Sequence, residues 1–267
     1  MKGDGKMPVP SSPYLFQSDY FSIRWYGVLI ALGIAIALFV GLRQARRSGL
    51  NEEYMLDAVL LGIPIGVLGA RIYYVLFHWD YYGIHLNEII RIWEGGLAIH
   101  GGIIAGIVAA YFYFRYRKTN ILPYLDLAMP CMALAQAIGR WGNWFNQEAF
   151  GSITTLPWGM LIDGEYRHPT FLYESIWDIL LFVFLYALLR KKKQQNGVVT
   201  AWYLILYSVG RFWIEQLRTD SEWLGPFKAA QVFSVIMIIL GILILLWVKK
   251  QKSLSLDAKQ NPIGRDP

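Results

Sequence analysis

Residues 25–42 read WYGVLIALGIAIALFVGL and contain no charged side chain. As an α-helix, a run of this length approaches the thickness of the hydrocarbon core of a bilayer. The run is too long for the apolar core of a signal peptide, and no small-residue cleavage site follows it. We therefore expect it to remain in the mature protein as a membrane-spanning helix.

The composition of the whole chain agrees with a membrane protein. Of its 267 residues, 55% are hydrophobic and 16% are charged, whereas a typical soluble domain is about a quarter charged. The mean hydropathy is +0.36, and aromatic residues, which favour the bilayer–water boundary, make up 16% of the chain. These values exclude a disordered chain, a coiled coil and a secreted disulfide scaffold. The single cysteine, Cys131, also excludes an intramolecular disulfide and a cysteine-cluster metal site.

Six further segments have the length and apolarity of membrane spans. The seven predicted spans cover residues 25–42, 57–77, 97–114, 121–138, 171–189, 198–214 and 229–248. Because no internal repeat or long linker separates them, we expect an all-α polytopic protein with a single integral-membrane domain over residues 1–267. Its transmembrane bundle would cover about 25–248, and residues 249–267 would form a cytoplasmic tail.

Lysine and arginine are distributed unevenly among the predicted loops. Basic clusters follow the first, third, fifth and seventh spans, while the alternate loops hold only isolated basic residues. The clusters are Arg43, Arg46 and Arg47; Arg115, Arg117 and Lys118; Arg190, Lys191, Lys192 and Lys193; and Lys249, Lys250 and Lys252. Because cytoplasmic loops carry the excess of positive charge, the N-terminus is predicted outside and the C-terminus in the cytoplasm. The net charge of +6 comes from these clusters and does not indicate a nucleic-acid partner.

This topology places strong hydrogen-bonding groups near the outer ends of the first six spans. They are Tyr26, Arg71, His100, Arg140, Asn143, Glu148, His168, Glu174, Arg211 and Glu215. A charged residue inside a span costs about 2.5–3.5 kcal/mol on insertion scales, so such residues are usually paired or face a functional cavity. Arginine presents a planar donor fork that suits phosphate oxygens. The pattern therefore indicates a site for the phosphate of a phospholipid.

Several of these residues also have simpler interpretations. Arg140 and Arg211 could extend to the interface as snorkelling side chains, and Arg211 and Glu215 could form only a local helix pair. His100 could bond to a neighbouring carbonyl, and Glu174 could be hydrated by the preceding loop. Gly62 and Gly66, and Gly102 and Gly106, form G-x-x-x-G patterns that favour close helix packing. The glycine-rich run at 95–102 would also leave open space beside the His100 imidazole for a substrate.

Residues 139–151 read GRWGNWFNQEAFG and closely resemble the signature segment of the bacterial prolipoprotein diacylglyceryl transferases. The resemblance extends over nearly the whole chain. It includes RWYG at 24–27, GLAIHGG at 96–102, HPTFLYE at 168–174 and GRFWIEQLR at 210–218. One departure is Phe171, where some members have glutamine.

The resemblance implies that the diacylglyceryl group of phosphatidylglycerol is transferred to the lipobox cysteine of an exported prolipoprotein, with glycerol phosphate leaving. It implies an enzyme of the bacterial cytoplasmic (inner) membrane whose site faces the outer leaflet. Its partners would be phosphatidylglycerol, the prolipoprotein signal peptide and membrane lipids. The residues that match positions essential to the family are His100, Arg140 and Arg211 as catalytic residues, and Tyr26, Asn143, Glu148, Gly151, Glu215 and Arg218 as substrate-binding residues.

These residue types suit the implied chemistry. The attacking group must be a thiolate, because a neutral thiol is a poor nucleophile, and a neutral His100 could accept the thiol proton. Arg140 and Arg211 would hold the phosphate and stabilise charge on the departing oxygens, while Glu148 and Glu215 would fix the arginine forks. The phosphodiester is itself an activated donor, and no ligand cluster occurs at a recognised spacing, so we expect no cofactor and no metal.

Two other classes of function remain compatible with the sequence. A transporter or channel could use the outer arginines to select an anion, although transporters usually place polar sites and broken helices near the bilayer midplane. A non-catalytic scaffold would bind phosphatidylglycerol without turnover. Solute uptake into vesicles would support the first class, and lipid binding without product would support the second.

Overall fold

The computed structural model describes residues 7–19, 21–191 and 195–260. Within these residues the protein forms eight α-helices and three two-stranded antiparallel hairpins. The helices are α1 (Trp25–Arg47), α2 (Glu52–Phe77), α3 (Trp79–Tyr82), α4 (Ile99–Tyr116), α5 (Leu122–Asn146), α6 (Thr170–Leu189), α7 (Val198–Leu217) and α8 (Ala229–Gln260). The strands are β1 (Tyr14–Gln17), β2 (Ser22–Arg24), β3 (Met160–Ile162), β4 (Glu165–Arg167), β5 (Trp223–Leu224) and β6 (Phe227–Lys228).

Each of the seven predicted spans falls on one of the long helices. Four of these, α1, α2, α6 and α8, are long and apolar enough to cross a membrane, which confirms a mainly helical membrane protein. The other three, α4, α5 and α7, do not meet the same standard among the described residues. Residues 249–260 of the predicted tail continue α8. Lys192, Lys193 and residues 261–267 lie outside the described residues.

The backbone separates into two compact units. One comprises Met1–Gly41 and Leu125–Pro267. In this first unit α6 packs against α7, and α7 packs against α8. The buried cluster at the α6–α7 contact comprises Leu181 and Leu185 of α6, Val199 and Tyr203 of α7, and Ala133 of α5.

The start of α7 is held by a carboxylate from α5. Asp126 is 4% exposed and accepts the backbone N–H groups of Gly197 at 2.6 Å and Thr200 at 2.8 Å, together with the Thr200 hydroxyl at 2.7 Å. These N–H groups belong to the first turn of α7, where helices lack internal acceptors. The acidic residue of the fourth predicted span is therefore a helix cap.

The N-terminal segment of the first unit runs over the end of α5. Met7 forms a bridge to Met160 of β3, and Met7 and Val9 pack on the buried cluster of Met160, Ile162 and Phe171. The indole of Trp144 donates to the Pro8 carbonyl at 3.1 Å. This layer fixes the segment in which α5 ends, where several of the predicted polar site residues lie.

The second unit is Leu42–Tyr124, in which α2 and α4 pack with close backbone approach. A Cβ atom placed on Gly69 of α2 would lie 2.8 Å from the carbonyl oxygen of Gly101 in α4. Near the other end of α4, Arg117 donates to Asp57 at 2.7 Å and Tyr113 donates to the same carboxylate at 2.6 Å. Small residues at one end and a polar group at the other hold the helix pair in register.

Candidate active site

Three arginines of the first unit meet at one buried carboxylate, that of Glu174 in the second turn of α6. The Glu174 side chain is 5% exposed. Arg211 of α7 donates from Nη1 to Oε1 at 2.5 Å, and Arg140 Nε of α5 lies 2.5 Å from Oε2. Arg218, which follows α7, places Nη1 3.5 Å from Oε1. We call Arg140, Arg211 and Arg218 the arginine cluster.

The geometry of these contacts differs from one arginine to the next. The Arg211 contact is a hydrogen bond, whereas Glu174 Oε2 has no partner in hydrogen-bond geometry. The Arg140 contact is thus a close ion pair without directed hydrogen bonding. An ion pair of this kind leaves the guanidinium of Arg140 with N–H groups for a further acceptor.

Further carboxylates hold the cluster in place. Glu215, 2% exposed, lies 2.6 Å from Arg211 Nη2, and Asp220 accepts two bonds from Arg218 at 2.9 and 2.7 Å. Burial opposes ionisation of Asp220, but the bond from Arg218 outweighs it and the pKa of this carboxyl is below its usual value. The three arginine side chains are 13–23% exposed, so they are held inside the protein and do not extend freely to the interface.

Gly151 fixes the backbone beside Arg218. Its N–H donates to the His168 carbonyl at 2.8 Å, and the N–H of Ser152 donates to the Leu217 carbonyl at 2.8 Å. A Cβ atom at position 151 would lie 2.7 Å from the His168 Cβ atom and 2.9 Å from the Leu217 oxygen. Only glycine permits this approach, so Gly151 acts by positioning the end of α7.

The remaining predicted substrate-binding residues of the first unit lie at the ends of α1 and α5. Asn143 donates to Glu148 at 3.0 Å, and Asn146 donates to the same oxygen at 3.1 Å. Glu148 thus orders side-chain amides, which differs from the expectation that it fixes an arginine; Glu215 does so. Tyr26, at the second position of α1, is 38% exposed and its ring lies against Gly142.

His100 belongs to the second unit and is the second residue of α4. It is exposed, and its ring centroid lies 6.3 Å from that of Tyr73 in α2. The N–H of Ala98, just before α4, donates to the Ala70 carbonyl at 3.1 Å. The imidazole is therefore accessible at the start of a helix, but the glycines beside it do not leave the open space that the sequence suggested. Gly101 packs against Gly69 and Tyr73, and a Cβ atom on Gly102 would lie 3.3 Å from the Gly66 oxygen.

Arg71, which the sequence placed among the arginines of an anion site, has a different environment. It is 6% exposed and lies within the second unit. Its guanidinium donates to the backbone carbonyls of Glu88, Ile89, Gly95 and Gly96. Four of its five N–H donors are engaged by the protein backbone, so Arg71 has little capacity left for the anion contact that its place among the outer polar groups suggested.

Glu174 is one of the outer polar groups of the sequence, but no catalytic or substrate-binding role was predicted for it, and hydration by the preceding loop was its simpler interpretation. The structure instead buries it between α5 and α7. Among the described residues, no three His, Cys, Asp or Glu side chains are grouped as metal ligands would be.

The sequence model of the family described as prolipoprotein diacylglyceryl transferase matches residues 13–247 of this chain. The chain belongs to the prolipoprotein diacylglyceryl transferase family. The resemblance drawn from the four motifs and the signature segment is thereby confirmed, and the matched range includes every predicted site residue from Tyr26 to Arg218.

Several proteins similar to this chain are named phosphatidylglycerol–prolipoprotein diacylglyceryl transferase. The protein of Clostridioides difficile is 48% identical over 229 residues, which cover 86% of this chain and 92% of the relative. That of Fervidobacterium nodosum is 48% identical over 239 residues, covering 85% and 82%. That of Streptococcus uberis is 42% identical over 251 residues, covering 91% and 97%.

Proposed function

We propose that the protein transfers the diacylglyceryl group of phosphatidylglycerol to the lipobox cysteine of prolipoproteins, the first step in bacterial lipoprotein maturation. The observation that carries this proposal is the arginine cluster held on Glu174, in a chain whose relatives are named for that reaction. The cysteine sulfur forms a bond to the glycerol carbon that carries the phosphate. The carbon–oxygen bond breaks, and its electron pair leaves with glycerol phosphate.

Arg140 and Arg211 would bind the phosphate of the donor. Each is partly exposed while its position is fixed by buried carboxylates, which is the preorganised arrangement that stabilises charge developing in a transition state. A hydrogen bond to a charged group contributes about 1.5–3 kcal/mol. Arg218 would add a third contact, with its backbone set by Gly151. The Glu174 carboxylate keeps the three guanidinium groups together when no phosphate is bound.

His100 would accept the proton of the lipobox thiol, since a thiolate is required for attack. Tyr26 and Asn143 would orient oxygens of the headgroup, with Glu148 ordering the amide of Asn143. Glu215 would fix the fork of Arg211. No step in this scheme requires a cofactor or a metal ion.

An apolar groove next to the arginine cluster supports a lipid donor. It has a volume of about 410 Å³ and runs between α6 and α7. Its lining residues are Tyr173, Ile176, Trp177, Leu180, Gly210, Trp213, Ile214 and Leu217. Three of them directly precede Glu174, Arg211 and Arg218 in the chain. An acyl chain in this groove would belong to a lipid whose phosphate lies at the cluster.

We further propose seven transmembrane spans, an outer N-terminus and a cytoplasmic C-terminus, in the bacterial cytoplasmic membrane, with the site toward the outer leaflet. The support is the alternation of basic clusters between loops. Arg46 and Arg47 lie in the last turn of α1, and Arg115 lies in the last turn of α4. Basic residues at the C-terminal end of a helix also interact favourably with the helix dipole.

The test uses the purified protein in detergent with phosphatidylglycerol and a lipobox peptide. We expect a mass gain of one diacylglyceryl group on the peptide cysteine, together with release of glycerol phosphate. A peptide with serine in place of the cysteine, and phosphatidylcholine in place of the donor, are the controls. Binding of phosphatidylglycerol without product would contradict the transferase and favour a scaffold. Solute uptake into vesicles that contain the pure protein would favour a transporter.

A further inference from the structure

Arg71 is a buried arginine whose guanidinium is held by backbone carbonyls from two separate turns. Nε donates to Ile89 at 2.8 Å and Nη2 donates to Glu88 at 2.7 Å. Nη1 donates to Gly95 at 2.8 Å and to Gly96 at 3.0 Å. The carbonyls lie at the end of the 3₁₀ turn Leu86–Glu88 and just after the 3₁₀ turn Ile92–Glu94. One side chain therefore joins both turns of the segment 88–96 to α2.

The segment is shaped to fit this guanidinium. The Tyr82 ring lies under Arg71, with Cζ 5.1 Å from the ring centroid. Gly96 has a φ of +71°, and a Cβ atom there would overlap Arg71 Nη1 and lie 2.8 Å from the Tyr74 ring. A residue other than glycine would thus be strained by its backbone and would strike the guanidinium.

We call the hydrogen bonds from Arg71 to these four carbonyls the clamp, and it lies a few residues before His100 in the chain. Only residues 97–99 separate Gly96 from the imidazole, and the Ala98 N–H is bonded to the carbonyl of Ala70, the neighbour of Arg71. Two consecutive residues of α2 thus tie down the chain immediately before α4. The contacts of Arg71 and Ala70 therefore end two residues before His100.

We propose that Arg71 is a positioning residue for the transfer reaction, holding the segment 88–96 so that His100 meets the lipobox thiol in the correct place. The inference rests on the proposed function and on the proposed role of His100. A planar fork with five N–H donors can reach carbonyls on two turns at once, whereas the ammonium group of lysine is a point charge with three donors. Lysine at position 71 would keep the positive charge but would not donate to carbonyls on both turns at once.

The first test is a double-mutant cycle with Arg71→Lys, His100→Gln and the double variant, measured as diacylglyceryl transfer to a lipobox peptide. A misplacement of about 1 Å can cost up to about a hundredfold in rate, so we expect Arg71→Lys to lower kcat at least tenfold with KM nearly unchanged. In the His100→Gln background, followed at high enzyme concentration, it should have no further effect, because residues that act through one group are non-additive. Equal losses in both backgrounds would overturn the proposal.

The second test measures the clamp without any chemistry. Hydrogen–deuterium exchange should become faster at the amides of residues 88–98 in Arg71→Lys, and remain unchanged in Arg117→Lys, a matched arginine of the same unit that bonds to Asp57. Gly96→Ala disturbs the same contact without touching the buried charge and should reproduce both the exchange and the kcat effect. Unchanged exchange in Arg71→Lys would overturn the clamp. If the unaltered protein makes no thioether, the proposed function fails, and exchange alone then shows whether Arg71 holds the segment.

Discussion

A single residue, Glu174, organises the proposed phosphate site, because its carboxylate contacts all three arginines of the cluster. Arginines inside apolar spans were visible in the sequence because each stands out against its own neighbours. The role of Glu174 was not, because its partner Arg211 is 37 positions away and Arg140 comes from another helix. Arg71 shows the converse: its charge was visible, but its carbonyl partners 17 to 25 positions away were not.

Replacement of Glu174 by glutamine should destabilise the protein and make it dependent on anionic lipid. Removing one partner of a buried ion pair costs about 3–5 kcal/mol, and here three arginines lose a shared carboxylate. Added phosphatidylglycerol should restore much of the lost Tm, because its phosphate replaces the missing charge. The measurement is thermal unfolding in detergent, with and without phosphatidylglycerol.

The matched control for Glu174→Gln is Asp126→Asn, which also removes a buried carboxylate of the first unit. Phosphatidylglycerol should not restore its stability more than it does that of the unaltered protein. Equal recovery of both variants would mean that the lipid stabilises the fold generally and does not bind at the arginine cluster.

The ends of the helices and the grooves between them position the side chains of the site. The helices themselves followed from the sequence, since length and apolarity are local properties, as in residues 25–42. The cap on α7 did not, because Asp126 and Thr200 are 74 positions apart. The close approach at Gly151 was also invisible, since it depends on the β-bridge to Arg218.

Loss of the cap should weaken α7 without altering the chemistry. Both Asp126 oxygens accept bonds at the start of α7, and Asp126→Asn replaces one of them with an N–H donor; loss of a cap costs about 0.5–2 kcal/mol. We expect a lower Tm and an unchanged transfer rate per folded molecule, from unfolding curves and initial rates. A large drop in rate for the folded protein would show that Asp126 has a role beyond the cap.

Filling the groove between α6 and α7 should impair use of the donor lipid. Ile214→Trp places a large ring in the groove, so we expect a raised KM for long-chain phosphatidylglycerol and a smaller effect with a short-chain analogue. Ile179→Trp, on an exposed position of α6 outside the groove lining, is the control. The same KM in both variants would argue against an acyl chain in this groove.

For the molecule as a whole, the composition predicts a helical membrane protein and the basic clusters predict its orientation in the membrane. The mainly helical membrane protein was predictable because a bilayer restricts spanning segments to helices or closed barrels. The division into two compact units was not, since it depends on which helices pack against one another, and the sequence of a single helix does not show its packing partner. The orientation in the membrane remains a prediction from loop charge.

The orientation can be measured with single cysteines in a Cys131→Ala background, because Cys131 is buried and the only cysteine of the chain. Thr155→Cys lies in the predicted outer loop after α5, and Ser48→Cys lies after α1; both positions are exposed. A membrane-impermeant maleimide should label Thr155→Cys in intact cells and Ser48→Cys only after permeabilisation. The reverse pattern would invert the topology.

The central claim is that the arginine cluster binds the phosphate of the donor lipid. The most direct test compares the initial rate of diacylglyceryl transfer by Arg140→Ala with that of Arg167→Ala, a control of similar exposure that pairs with Glu165 in the β3–β4 hairpin. Loss of one charge-assisted bond corresponds to about 10- to 150-fold in rate. We therefore expect at least a tenfold loss for Arg140→Ala and a rate close to that of the unaltered protein for Arg167→Ala. A folded, membrane-inserted Arg140→Ala protein with nearly full activity would contradict the phosphate site.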